Sequence, residues 1–271
     1  MATSANQGTA LITGASSGIG AIYADRLAQR GHDLILVARN GDRLHALAAG
    51  LSDATGRAVE TIVADLTDAA DLAGVEAVLR TDASVTMLVN NAGVGAAGPL
   101  LVSDVDKMSD MIALNVGALT RLTYAVVPGF VARGTGTIVN IASIAAIAPE
   151  MLNGVYGGSK AFVLVLSRSL QHELADKGVR VQAVLPGATA TEFWDIAGFP
   201  LSNVPAAILM SADDMVDAAL AGLDQGELVT IPSLPDAADW DSFEAARHAL
   251  APNLSRTEPA ARYGVALGKA A

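Results

Sequence analysis

The chain has 271 residues, 52% of them hydrophobic, and a formal charge of -11, enough material for one large buried core or two small ones, with an acidic balance that favours solubility. Its 17 basic residues form no cluster, which excludes the electrostatic footprint of a nucleic-acid-binding protein. Cysteine is absent and His32, His45, His172 and His248 are scattered, which excludes disulfides and thiol catalysis and leaves no metal-ligand spacing, so no metal is expected.

Charged residues or glycines interrupt every apolar run well short of the roughly 18 residues of a membrane span. Residues 1–8 have neither the basic start nor the apolar core of a signal peptide. A cytoplasmic protein without a membrane partner is the expectation.

Residues 9–13 are a short apolar run that meets Gly14-Ala15-Ser16-Ser17-Gly18-Ile19-Gly20 and continues into a helix-like stretch ending near Arg30. In such a strand, glycine loop and helix, backbone can approach a ligand closely, and the free N–H groups at the helix start favour an anion such as pyrophosphate. The spacing is Gly-x-x-x-Gly-x-Gly, not the common dinucleotide fingerprint, and a tight strand-to-helix turn alone would use the same glycines. Gly31 stops the helix, and residues 33–38 read as a buried parallel strand, a continuous apolar run bounded by breakers. Where a dinucleotide site places an acid for the ribose 2′-hydroxyl, this chain has Ala38 and then Arg39. Arg39 is either a solvated surface residue or the guanidinium for a 2′-phosphate, and the second reading selects NADP.

The alternation repeats. A helix over 43–51 precedes a strand over 59–64 that ends at Asp65 and Leu66; a helix over 69–79 precedes a strand over 85–89, closed by Asn90-Asn91-Ala92-Gly93. Asp65 either bonds an adenine amino group or caps the next turn. A long helix is predicted over 105–133, with Asn115 in its apolar middle. Asparagine is a poor helix-interior residue, so it needs a partner, either as a buried amide bonded to backbone or as a functional group.

A fifth strand over 136–142 delivers Ser143 to its carboxyl end. Tyr156 and Lys160 are four apart, so a helix there puts phenol and ammonium on one face. Neither group handles protons well at neutral pH unaided, and a cation beside the phenol stabilises phenolate, while Ser143 can orient a carbonyl oxygen. The same Tyr-x-x-x-Lys spacing is also a common accident on helices.

A sixth strand over 179–185 ends in Pro186-Gly187-Ala188-Thr189-Ala190-Thr191. Each candidate group therefore sits at a strand's carboxyl end or on the helix that follows, the edge where open parallel sheets bind ligands. Residues 193–210 read as a mobile cover or as a packed connection, 213–225 as a helix and 228–231 as a seventh strand. The polar, Ala-rich remainder has an amphipathic piece near 240–250.

Taken together and in order, Thr13-Gly14-Ala15-Ser16-Ser17-Gly18-Ile19-Gly20, Asn90-Asn91-Ala92-Gly93, Asn115, Ser143, Tyr156-Gly157-Gly158-Ser159-Lys160 and Pro186-Gly187 resemble the short-chain dehydrogenase/reductase superfamily, in its single-domain form, over about residues 8–232. The resemblance implies an α/β fold, a doubly wound, Rossmann-like parallel sheet of about seven strands with helices on both faces. Residues 8–232 would be the NAD(P)-binding catalytic domain and 233–271 a C-terminal extension of the same domain.

It also implies roles. Tyr156 would be the general acid or base, Ser143 would bond the substrate oxygen, Lys160 would depress the tyrosine pKa and hold the ribose hydroxyls, and Asn115 would help hold a proton-relay water. Gly14, Ser16, Ser17 and Ile19 match the phosphate loop and Arg39 the position used by NADP-preferring members. Asp65 and Leu66 match the adenine side, Asn91, Ala92 and Gly93 the middle of the cofactor, and Pro186, Gly187, Thr189 and Thr191 the nicotinamide side.

The implied activity is NADP(H)-dependent interconversion of a carbonyl and an alcohol by hydride transfer. Apolar residues in 144–152 and 193–201 favour a small, neutral, partly hydrophobic substrate, and the long helices would pair subunits into a homodimer or homotetramer. An inactive nucleotide-binding sensor or scaffold on the same fold is the alternative, though it would not need Ser143, Tyr156 and Lys160 together. A methyltransferase-like glycine loop fits poorly, since nothing there requires Asn115 or the tyrosine and lysine. Gly157 and Gly158 depart from the family, which usually has a side chain there; glycine inside a helix costs about 1 kcal/mol against alanine, which would loosen the first turn or make room beside the tyrosine.

Overall fold

A computed structural model describes residues 7–265, and its contacts divide the chain into two units, Met1–Pro232 and Ser233–Ala271. In the first unit the strands are β1 (Thr9–Thr13), β2 (Asp33–Ala38), β3 (Val59–Val63), β4 (Val85–Asn90), β5 (Gly136–Ile141), β6 (Val179–Val184) and β7 (Val229–Thr230). The helices between them are α1 (Gly18–Gln29), α2 (Gly41–Thr55), α3 (Ala69–Thr81), α4 (Val105–Ile112), α5 (Leu119–Arg133), α6 (Gly154–Leu174), α7 (Phe193–Ile196) and α8 (Ala212–Gln225). All strand pairs are parallel, in the order β3-β2-β1-β4-β5-β6-β7. The order reverses at β1, which pairs with both β2 and β4 and so places the switch point of the sheet directly above the glycine loop.

Successive side chains of each strand enter opposite layers. Ala10, Ile12, Leu34, Leu36 and Val89 pack with Tyr23, Leu27, Leu44 and Met215 of α1, α2 and α8. Leu11, Ile35, Val37 and Leu88 pack with Val75, Leu122, Phe130 and Leu170 of α3, α5 and α6. Burial on both faces is why β1 and β2 read as nearly continuous apolar runs, whereas edge strand β3 has no buried residue. The predicted seventh strand is shorter in the structure, Val229–Thr230, and Pro232 beyond it has no N–H to carry the ladder further.

The predicted long helix is continuous over Val105–Arg133 and contains an 18-residue window with a mean hydropathy of 1.3, long and apolar enough by composition to cross a membrane; 44% of that window is buried against the fold. It is not uniform, since Ala113–Ala118, around Asn115, winds as a π-helix. Such single wide turns are frequent at functional sites. The buried carboxylate of Glu76 on α3 receives the guanidinium groups of Arg80 and Arg121, tying α3 to α5. Burial pushes that carboxyl up, and the two cations outweigh it and hold it below the ordinary value.

A buried polar chain fixes the elements behind the site. Asn90 Nδ2 donates to Asn140 Oδ1 at 2.9 Å and to Thr123 Oγ1 at 3.2 Å, and Asn140 Nδ2 donates to Ser167 Oγ at 2.9 Å. It joins β4 and β5 to α5 and α6 in one geometry, because in a dry interior each amide must keep its partner. In the second unit, the predicted amphipathic piece is α9 (Ala237–Ala249), capped by Asp236, with Trp240 and Phe243 stacked at 5.1 Å.

Candidate active site

The glycine loop is shaped by contacts that leave no room for side chains. Gly14 and Gly18 have φ of +65° and +54°, the left-handed region. A Cβ on Gly20 would stand 2.4 Å from the Gly14 carbonyl oxygen, and one on Gly14 would stand 2.9 Å from Ala92 Cα. Asn91 holds the loop from β4, its Nδ2 donating to the carbonyls of Thr13 (2.9 Å) and Gly14 (3.1 Å). Thr13 answers with Oγ1, which accepts from the backbone N–H of Asn91 and of Ala92, both at 3.0 Å. Asn91 thus spends its amide on the loop, a positioning task that its motif did not reveal. Ser17 stands at the start of α1 without a side-chain cap bond, so the orphan N–H groups of the first turn remain for an anion.

Ser143, just past β5, accepts from the Ala145 N–H at 3.1 Å. Asn153 caps α6, so the helix begins at Gly154 and carries Tyr156 and Lys160 inward, both buried. Lys160 Nζ donates to the Ile141 carbonyl at 2.8 Å and lies 5.9 Å from the centroid of the Tyr156 ring. Gly93 makes this approach possible: a Cβ there would stand 3.4 Å from Lys160 Nζ and 3.0 Å from Asn115 Oδ1. Asn115 is paired with backbone, its Oδ1 accepting from Val94 N–H (3.0 Å) and its Nδ2 donating to Val94 O (2.9 Å) and to Ser159 Oγ (3.1 Å). The amide of Asn115 is thus bonded to the backbone of Val94, and Ser159 is a partner that spacing did not indicate.

Burial raises the Tyr156 pKa and the Ser143 hydroxyl beside it pulls the other way. Burial alone lowers Lys160, to about 8. The Lys160 ammonium, near the Tyr156 ring, is bonded to the Ile141 carbonyl, and in this arrangement burial is the larger influence on the phenol.

A cavity of about 420 Å³ runs along this edge. Gly14, Ser17 and Ile19 of the loop, Asn91 to Gly93, Ser143, Tyr156, Lys160, Pro186, Gly187, Thr189 and Thr191 all line it. Its far end is apolar, walled by Ile144, Met151, Leu152, Trp194 and Phe199. Phe193 stands 5.6 Å from the Tyr156 ring, and it gets there because Gly95 has no side chain: a Cβ would meet the ring at 2.2 Å. Residues 193–210 cover one side of the cavity and are tied by Ala97 N–H to Ala197 O (3.0 Å), by a bridge between Thr189 and Met210 and by Trp194 Nε1 donating to Thr189 O (2.9 Å).

Five predicted residues do not line the cavity. Asn115 lies behind Gly93, Ser16 is half-buried in the loop, and Leu66 packs in the core. Arg39 and Asp65 stand together at the ends of β2 and β3, 3.7 Å apart and exposed. Asp65 also accepts from the hydroxyl (2.7 Å) and N–H (2.9 Å) of Thr67, which hold its carboxyl below the ordinary range; it caps that turn.

The two unusual glycines separate. Gly157 is buried, and a Cβ would press on the Ala145 carbonyl at 3.3 Å, so alanine there pushes the turn that follows Ser143. Gly158 is exposed with nothing within 4 Å of a Cβ. Gly158→Ala is expected to stabilise the protein by about 0.5–1 kcal/mol in denaturant titration, because only helix propensity changes; a loss of stability would show that the glycine serves another purpose.

A sequence model described as short chain dehydrogenase matches residues 8–197. The chain is similar to the very-long-chain 3-oxoacyl-CoA reductase of Anas platyrhynchos, 36% identical over 197 residues, 69% of this chain and 62% of that protein. It is similar to inactive hydroxysteroid dehydrogenase-like protein 1 of Homo sapiens, 35% identical over 67% of this chain and 56% of that protein. The chain thus spans less than two thirds of the length of these relatives. Among solved structures, the short-chain dehydrogenase from Sphingobium yanoikuyae in complex with NADPH superposes with a TM-score of 0.92 at 52% identity, covering 94% of this chain and 99% of that one. The bulky-bulky ketone specific alcohol dehydrogenase from Comamonas testosteroni has a TM-score of 0.88 at 45% identity, covering 96% and 99%.

Proposed function

Since the chain belongs to the short-chain dehydrogenase/reductase family, we propose that it is an NADP(H)-dependent oxidoreductase that interconverts a ketone or aldehyde with an alcohol by hydride transfer. The observation that carries this reading is that the glycine loop, Ser143, Tyr156 and Lys160 share one cavity.

The residues fit the cofactor. Gly14 and Gly20 form a cradle that a Cβ would fill, and the start of α1 suits a diphosphate. Lys160, buried beside Gly93, has an ammonium for ribose hydroxyls. Arg39 is exposed, its ion pair with Asp65 is long, and such a pair is worth about 1 kcal/mol or less, so it yields readily to a 2′-phosphate. The NADPH bound by the Sphingobium protein supports the same choice.

When bound, the nicotinamide supplies or accepts the hydride. The chain's own residues manage the proton. Burial keeps Tyr156 protonated at neutral pH, the state needed to donate to an oxygen that is becoming an alkoxide, and Ser143 bonds that oxygen. In the oxidation direction Tyr156 must first give up its proton, and the phenolate so formed takes the proton of the alcohol, with the Lys160 ammonium 5.9 Å from the ring centroid as a nearby positive charge.

The far wall of the cavity, Ile144, Met151, Leu152, Trp194 and Phe199, offers apolar surface and no charge, which suits a ketone or secondary alcohol with bulky hydrophobic groups. The Comamonas protein, described as specific for such ketones, supports this class. NADPH consumption with a panel of apolar ketones, aldehydes and sugar phosphates tests the reading. Turnover is expected with the ketones and a preference for NADPH over NADH; turnover of sugar phosphates with none of the ketones contradicts the substrate class. The similarity to a protein called inactive keeps a scaffold without turnover as the second reading, and retention of Ser143, Tyr156 and Lys160 in one cavity argues against it.

A further inference from the structure

Arg43 and Glu192 are 149 positions apart and meet beside the cavity, Arg43 from the first turn of α2 and Glu192 from the loop after β6. Arg43 Nη1 donates to both carboxylate oxygens of Glu192, at 2.8 and 3.1 Å. Glu192 lines the cavity together with Ser17 and Gly18 of the glycine loop, and the Arg43 guanidinium, with a smaller contribution from the Ser17 hydroxyl, holds its carboxyl below the ordinary value. Its neighbours lie across the same span: Thr191 Cγ2 would stand 3.2 Å from a Cβ on Gly18, and Phe193 packs on Gly95 beside Tyr156. The loop after β6 therefore crosses the glycine loop and is tied on the far side by one ion pair.

We propose that Arg43 and Glu192 are a pair of positioning residues that clasp the loop after β6 over the glycine loop, and that the clasp opens for the cofactor to enter or leave. The proposal rests on the cofactor reading above. Geometry makes the pairing specific: one Arg43 nitrogen donates to both oxygens of a carboxylate that lines the cavity with the glycine loop. Exposure makes it reversible. The two side chains are 53% and 55% exposed, so the pair is solvated, adds little to fold stability and breaks easily.

Stopped-flow nicotinamide fluorescence on the full chain tests this, with Arg43→Gln, Glu192→Gln and the double variant. Each single variant is expected to release NADPH roughly three- to fivefold faster, with an unchanged melting temperature. The double variant is expected to be no faster than either single, since each removes the same clasp, and NADH release should accelerate in parallel. Wild-type release rates in both single variants, or strictly additive effects in the double, overturn the clasp. So does acceleration by Arg43→Gln alone and for NADPH alone, which makes Arg43 a ligand of the 2′-phosphate. Failure of the wild-type chain to bind either nucleotide overturns the cofactor reading and the clasp with it.

Discussion

Tyr156→Phe is expected to lower turnover about 10²- to 10⁴-fold while NADPH still binds, the range that a positioned proton donor contributes. The expectation follows from how little else the substitution touches. The ring keeps its 5.6 Å contact with Phe193 and its place beside Lys160 and Ser143; only the phenolic oxygen goes. A group that acts in the transition state and not in ground-state binding lowers kcat and kcat/KM together, with KM little changed. Steady-state kinetics on the best substrate of the ketone panel, with fluorescence titration of NADPH, separates the outcomes. Near-normal turnover would remove Tyr156 from the chemistry, and loss of NADPH binding would make it a cofactor support.

Lys160→Met is expected to abolish most turnover and to raise stability in the same protein. Burial lowers the ammonium to about 8, so at neutral pH the folded chain holds a cation it would rather shed. The drop from the ordinary lysine value corresponds to a penalty on the order of 3 kcal/mol. Methionine fills similar volume without charge and forfeits the 2.8 Å bond to the Ile141 carbonyl, worth about 1–3 kcal/mol, so a gain of about 1 kcal/mol is expected. The pH dependence gives the sign. Below about pH 8 both folded and unfolded wild type hold the proton and the penalty is full. Between there and about pH 10.4 the unfolded chain binds a proton that the folded chain lacks, so wild-type stability from this group rises with pH. The advantage of the methionine variant should therefore be largest near neutrality and shrink as pH rises. Denaturant titrations at about pH 7 and about pH 10 measure it. A variant less stable at both would show that the bond to Ile141 outweighs desolvation, and an active variant would remove the lysine from the mechanism.

This pairing of lost activity with gained stability is what a built site predicts. A protein selected for stability alone would not bury an ammonium on a backbone carbonyl, and the cost is retained where the charge is needed.

Much of this was legible from local pattern. Inner strands such as β1 and β2 are covered on both faces and so are nearly continuous apolar runs, and the breakers between them mark the turns. Ser143, Tyr156 and Lys160 lie within 18 residues, and a strand end followed by a helix start is enough to bring them together. Gly14 and Gly20 are readable because no other residue survives the close approach that the loop requires.

Other features depend on partners remote in sequence. Asn115 was noticeable as a misfit in an apolar helix, but its bonds to Val94 and Ser159 and the π turn around it arise from how α4 and α5 meet the loop after β4. Phe193 reaches Tyr156 because Gly95, nearly 100 positions earlier, presents bare backbone. Arg43 and Glu192 look like ordinary surface charges until β2 and β6 are set in the same sheet.

The sequence by itself determined the alternation of strands and helices, the parallel sheet and the chemical groups available at its carboxyl edge, because periodicity, breakers and short spacings are local consequences of backbone geometry. Tertiary structure alone decided which of those groups share a cavity, that Tyr156 and Lys160 are buried there, and that Arg43 and Glu192 form an ion pair beside it. Desolvation and long-range contact are properties of the packed chain, and no local stretch of residues encodes them.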